Sequence, residues 1–283
     1  MPKGAAGSQP EYVRNLNKYK CGVEDEHDEV WWPVSEGGSV KSWGIGIIGL
    51  VGLTAIVVGA YSSPEMLMTT AVVLALAVGI GWPHFLEIPA KKTLAALIGL
   101  PAAGSAVAAT YTPAPAFLDW TPAFMAAGVL AVFVMQVIRG TGQAQRLESI
   151  LGSCAGVLLA CLGAGWIAAS RFSGVREMLL VAAISAAVAL VTGLIRWPDR
   201  IVAPLGIVLA GLAAPLAGLV FTNIAVMPAA VVGVVIGSVL LSFRRLVILR
   251  GEALTVPAAV GVALAPVLAV GSLAYFIDKI LIY

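Results

Sequence analysis

The residues of this chain best suited to chemistry are cations, and they stand in matched places. Arg146-Leu147-Glu148 recurs as Arg250-Gly251-Glu252. Arg139 lies ahead of the first triplet, Arg244 and Arg245 lie ahead of the second, and Lys91-Lys92 form a third basic spot. Guanidinium groups hold phosphate through a planar fork, and ammonium groups hold it as point charges. Arg139, Arg146, Arg244, Arg250, Lys91 and Lys92 are therefore candidates to bind a phosphate or an anionic lipid headgroup. A plainer role competes with that one. Glu in a first helical turn complements the helix dipole, and Arg beside a span follows the charge bias of membrane proteins.

A second set is apolar. Leu-Pro-Ala-Ala-Gly at 100–104 is answered by Ala-Pro-Leu-Ala-Gly at 214–218. A proline inside a helix frees a carbonyl, and within a bilayer that group must be buried in protein or face water. Interrupted spans at corresponding places in two halves of a chain point to a transport site. Pro101, Pro215 and the nearby Ser105 are thus expected to line a cavity, unless the prolines are inherited kinks that only pack.

Other chemistry finds little footing. The two histidines, His27 and His84, are far apart, and Cys21, Cys154 and Cys161 have no metal-ligand spacing. No phosphate-binding glycine loop, no serine–histidine–acid set and no nucleic-acid motif is present. No cofactor is implied. The polar residues inside the apolar runs are mostly hydroxyls, with no charge near the middle of any run, so a carboxylate proton relay is not expected.

Helices in a membrane must position these residues. The chain has 283 residues, 60% apolar and 11% charged, with mean hydropathy +0.97. Runs free of Asp, Glu, Lys and Arg cover 43–64, 66–86, 93–118, 120–138, 149–170, 178–195, 201–243 and 253–277. A hydrocarbon core takes roughly 20 helical residues. Each run fits one span except 201–243, whose central Thr222-Asn223 divides it in two. The expected fold is an all-α integral membrane protein of nine transmembrane helices. Continuous apolarity excludes the alternating pattern of a membrane barrel.

The spans look duplicated. Trp82-Pro83 with Pro89 recurs as Trp197-Pro198 with Pro204, 115 residues later. With the proline and Arg-x-Glu echoes, this predicts one N-terminal helix followed by a parallel four-plus-four repeat. The expected boundaries are a cytoplasmic tail over 1–42, a first helix over 43–64, and four-helix units over 65–172 and 173–283. Gly152-x3-Gly156 and Gly233-x3-Gly237 predict close helix crossings. The Trp residues of the two Trp-Pro pairs are read as interface anchors.

With nine spans, the N-terminal side carries 14 of the 17 Lys and Arg residues. The positive-inside rule then places the N-terminus in the cytoplasm and the C-terminus outside, and the Ala- and Gly-rich composition suits a bacterial inner membrane. The tail carries the acidic cluster Glu24–Glu29 followed by Trp31-Trp32. It reads as solvated chain or as a docking peptide, with Trp31 and Trp32 as anchors for a protein partner reached through the tail and the first helix. Membrane lipids are the other expected partners. Three functions follow: a transporter or flippase for a lipid-linked or small anionic substrate; a non-catalytic membrane subunit or scaffold; and a lipid-phosphate-modifying enzyme built on Glu87 and Asp199.

Overall fold

A computed structural model describes residues 39–40, 42–88, 90–138, 146–172, 176–195, 197–221, 224–250 and 254–281. The tail with Trp31 and Trp32, and Arg139, lie outside the described residues, as does the side chain of Arg146.

The helices follow the apolar runs. They are α1 (Ser42–Ser62), α2 (Pro64–Phe85), α3 (Lys91–Tyr111), α4 (Thr121–Ile138), α5 (Arg146–Cys161), α6 (Ala164–Phe172), α7 (Glu177–Gly193), α8 (Asp199–Phe221), α9 (Val226–Arg250) and α10 (Val256–Leu281). Two-residue strands β1 (Ser39–Val40) and β2 (Leu254–Thr255) pair antiparallel just ahead of α1 and α10. Polar punctuation sets the ends. The Ser63 hydroxyl accepts the Met66 amide at 3.1 Å, and Pro64 occupies the first position of α2. The long run 201–243 divides around Thr222-Asn223, as its polar centre predicts.

Eight spans are long and apolar enough to cross a membrane, with α5 and α6 together forming one of them, Leu147–Phe172. The remaining helix, α7, has 17 residues. Its ends still lie at opposite ends of the bundle. Arg176 at its start sits over the Tyr61 ring at the end of α1, and the Gly193 carbonyl at its finish is bound by Arg244 near the end of α9.

Helix α10 is the axis of the assembly. In its most apolar window 78% of residues are buried, against 22% for α4. A helix apolar on every side can be buried on every side. What permits it here is the absence of side chains where backbones cross. A Cβ on Gly81 of α2 would fall 2.5 Å from the Gly261 nitrogen of α10. A Cβ on Gly271 would fall 2.5 Å from the Trp166 ring, and one on Gly165 of α6 would collide with Ser272. Further crossings join α2 to α3 at Gly79 and Gly99, and α8 to α9 at Gly211 and Gly233.

Several sequence readings change. Trp82 is no interface anchor: it is 5% exposed, and its indole nitrogen donates to the Gly152 carbonyl at 2.9 Å. Trp197 is 58% exposed, so the two Trp-Pro motifs place their indoles in different surroundings. Gly152 and Gly156 do not mediate a backbone crossing but make room for Leu86 and the Trp82 ring. Gly233 and Gly237 do mediate one, against Ala210 and Gly211. In α1, Gly49 and Gly52 face Leu190 and Leu264, so the glycine face of the first helix rests on the bundle itself.

The α2–α10 crossing yields a test. Overpacking of a tight contact typically costs about 1–3 kcal/mol. Gly261→Val should lower the thermal midpoint of the detergent-purified protein clearly. Gly99→Ala, which meets the flexible Leu76 side chain at 3.1 Å, should be milder. Equal midpoints for the two variants would show that the α2–α10 crossing is not the tight point.

Candidate functional site

The site begins with a helix end. The last carbonyls of a helix have no amide partners and carry the negative end of its dipole. At the finish of α7 they receive Arg244 of α9. Its Nε donates to the Gly193 carbonyl at 2.8 Å, and one terminal nitrogen reaches the Ile195 carbonyl at 3.3 Å. The other terminal nitrogen pairs with Asp199, in the first turn of α8. A negative group there also complements the positive start of that helix. Arg244 thus ties the end of one helix to the start of the next. Arg245 touches the same carboxylate only at 3.9 Å, with its side chain 69% exposed. Arg200, next to Asp199, is exposed.

Beside Arg244 opens a cleft of about 110 Å³ between α1, α7, α9 and α10. Trp43 and Gly46 of α1, Leu190 of α7, and Phe243 and Ile248 of α9 supply apolar walls, and Arg244 is the charged one. Pro266 of α10 also lines it, with Val262 one turn back. Proline at 266 lacks the amide hydrogen that would bond the Val262 carbonyl. A helix with a proline in its interior therefore does border this cleft, but the proline is neither of the two expected from the repeat.

The expected pair lies elsewhere. Pro101 packs on α4, where a Cβ at Gly128 would come within 3.1 Å of its ring. Pro215 is half-buried in α8, which runs unbroken from Asp199 to Phe221. Ser105 is fully buried and does not line the cleft beside Arg244. Its hydroxyl donates to Thr121 Oγ1 at 3.1 Å and approaches the Cys161 carbonyl at 3.4 Å. That carbonyl belongs to a break between α5 and α6. The Gly165 amide turns from Cys161 to the Leu162 carbonyl, at 3.0 Å. Ser272 of α10 donates to the same Leu162 carbonyl at 2.6 Å. Hydroxyls thus replace helical hydrogen bonds where the span is interrupted. Sequence reading missed the break, although Gly163 and Gly165 in mid-run signalled it.

Of the cations expected to form a basic ring, Arg139 and the Arg146 side chain lie outside the described residues, and the others are placed as follows. Arg244 is bound to Asp199, and Arg250 pairs with Glu87 at 2.9 Å while lying 4.7 Å over the Phe85 ring. Lys91 and Lys92 are exposed at the start of α3, away from the cleft lining. Glu87 and Asp199, the acids considered for an enzyme, each hold a different arginine of α9. Glu87 adopts a left-handed backbone at φ 56°, uncommon for a residue with a side chain. Among the described residues no group of three or more His, Cys, Asp and Glu is placed to hold a metal ion.

Comparison of the chain with protein-family models, with curated proteins and with solved structures finds no match.

The two arginines differ in what they hold. Arg250→Gln removes an ion pair whose Glu87 side is 68% exposed, worth about 0–1 kcal/mol. Arg244→Gln removes charged hydrogen bonds at a position 18% exposed, worth on the order of 2 kcal/mol. Thermal unfolding of both variants should show the larger loss for Arg244→Gln; the reverse order would refute this assignment.

Proposed function

We propose that this multi-pass membrane protein is a transporter or flippase for an anionic amphiphile, with the cleft beside Arg244 as its binding site. The observation that carries the reading is the union of an apolar cleft with one arginine wall at the end of the bundle where Arg200, Arg244 and Arg245 gather. An acyl or polyprenyl tail suits the walls formed by α1, α7 and α9. A phosphate or carboxylate head suits the exposed Arg245 and Arg200, which lie beside the Asp199 partner of Arg244, since guanidinium groups pair with such oxygens. The charge bias of the sequence supports a cytoplasmic position for this end, in a bacterial inner membrane, with substrate entry from the inner leaflet. The four-plus-four duplication belongs to the same proposal. Support for it remains in the sequence echoes, because the glycine crossings α2–α3 and α8–α9 fall on non-equivalent helix pairs.

The alternative is a non-catalytic subunit of a membrane complex. It is favoured by the use made of hydroxyls within the spans. Thr54, Ser185, Thr192 and Ser238 each donate to a carbonyl of their own helix at 2.7–2.9 Å. No polar path is drawn by these groups.

Native mass spectrometry separates the two. Wild-type protein in mild detergent should retain phosphatidylglycerol over phosphatidylcholine. Arg245→Ala and Ile248→Trp, one removing charge and one narrowing the cleft, should each reduce that retention several-fold while leaving thermal unfolding unchanged. Retention unaffected by both variants would eliminate the cleft as the lipid site, and a stoichiometric protein partner in the same spectra would establish the subunit reading.

A further inference from the structure

Asp278 stands in the last two turns of α10, on the helix that forms the axis of the bundle. It is 2% exposed, and its Oδ2 is fully enclosed with no hydrogen-bond partner. A carboxylate taken out of water without a partner is among the most unfavourable groups a protein can bury. Cations are available at this end of the bundle, yet each is engaged elsewhere. Lys279 lies 5.8 Å from the centre of the Tyr275 ring. Arg171 of α6 donates to the carbonyls of Ala109, Thr110 and Thr112 at 2.6–3.2 Å and covers the Phe117 ring. Arg176, at the start of α7, covers the Tyr61 ring of α1. The other titratable groups of the elements that meet here are Tyr61 of α1, Glu65 of α2, Glu177 of α7 and Tyr275 of α10. Among the described residues none of these cations makes an ion pair with Asp278.

We infer that Asp278 is a proton-binding site: its carboxyl carries a proton while the outer end of α10 is closed and gives it to water when that end opens. The proton is the ligand that fits. It converts the charged group into a neutral one at no demand for further ligands, whereas a metal cation needs several oxygen donors around it. In the closed form the carboxyl O–H bond is intact. On opening, that bond breaks, the proton passes to a water molecule, and the carboxylate left behind is solvated. Intramembrane acids that are buried and unpaired commonly mark such sites. The inference is independent of the lipid cleft, which lies at the opposite end of the bundle.

Infrared difference spectroscopy of the full chain in phosphatidylcholine vesicles tests it. At about pH 7, where an exposed aspartate is ionised, wild type should show a protonated-carboxyl C=O stretch that Asp278→Asn lacks. Raising the pH to about 10 should convert the band into carboxylate absorption, and returning it to neutral should restore the band. If Asp278→Asn fails to fold, carbon-13 labelling of the aspartate carboxyls in wild type and in Asp278→Glu makes the same assignment: the band shifts in wild type and keeps its unlabelled frequency in the variant, whose carboxyl at 278 is no longer an aspartate's. No protonated-carboxyl band at neutral pH would overturn the inference, because Asp278 would then be ionised. A band unchanged throughout the pH range would overturn it as well, since a carboxyl that never exchanges its proton is a fixed structural group.

Discussion

Burial of one helix inside the others governs this structure. Lipid offers no hydrogen bonds and no hydrophobic driving force between helices, so association must come from close packing. Helix α10 obtains that packing by letting backbones meet where side chains are missing. Gly81 against Gly261, and Gly165 against Ser272, bring α2 and α6 to within contact of its main chain. Trp166 then spans the gap that Gly271 leaves, and its indole nitrogen donates to the Val267 carbonyl at 2.8 Å. The rest of the bundle is arranged around this seam. The α5–α6 break lies beside it, and α1 closes over its flank through Gly52 and Leu264.

Polar atoms inside the bundle are used mainly to mend what the packing disrupts. The interruption at Cys161 and Leu162 leaves carbonyls short of their usual amides, and Ser105 and Ser272 approach them from two other helices. Arg171 performs a similar service at the end of α3, and Arg244 at the end of α7. Read as a sequence, Ser105 and Arg244 look like ligand-binding groups. In three dimensions Ser105 is absorbed by the main chain, while Arg244 both mends a helix end and forms the wall of a cleft.

Most of the secondary structure was legible because membrane helices announce themselves by length and apolarity, residue by residue. The division at Thr222-Asn223 was visible in that way, whereas the helix start at Pro64 and the helix end at Tyr111 fall inside the charge-free runs 43–64 and 93–118. What pairs with what was less visible. Trp82 and Trp197 share a motif and a distance from proline, yet one is sealed against Gly156 and the other faces outward, since a motif does not encode its neighbour. Pro101 and Pro215 drew notice by matching each other. Pro266 has no counterpart and drew none, although it borders the cleft. Asp278 escaped because it ends an apolar run, where a charge is ordinarily taken to be in contact with water. Its burial comes from the helices packed about it, which no local pattern records.

The last two turns of α9 carry both Arg244, tied to the chain between α7 and α8, and Arg250, tied to Glu87 after α2. Two distant segments therefore share one rigid post. Arg244 and Arg250 are separated by six residues of continuous helix, so sliding or rotating α9 moves both anchors in step. The cleft lies against the Arg244 anchor, so the helix that walls it is also the helix that holds Glu87. One helix thus acts as a common tether for two stretches of chain that are far apart in sequence.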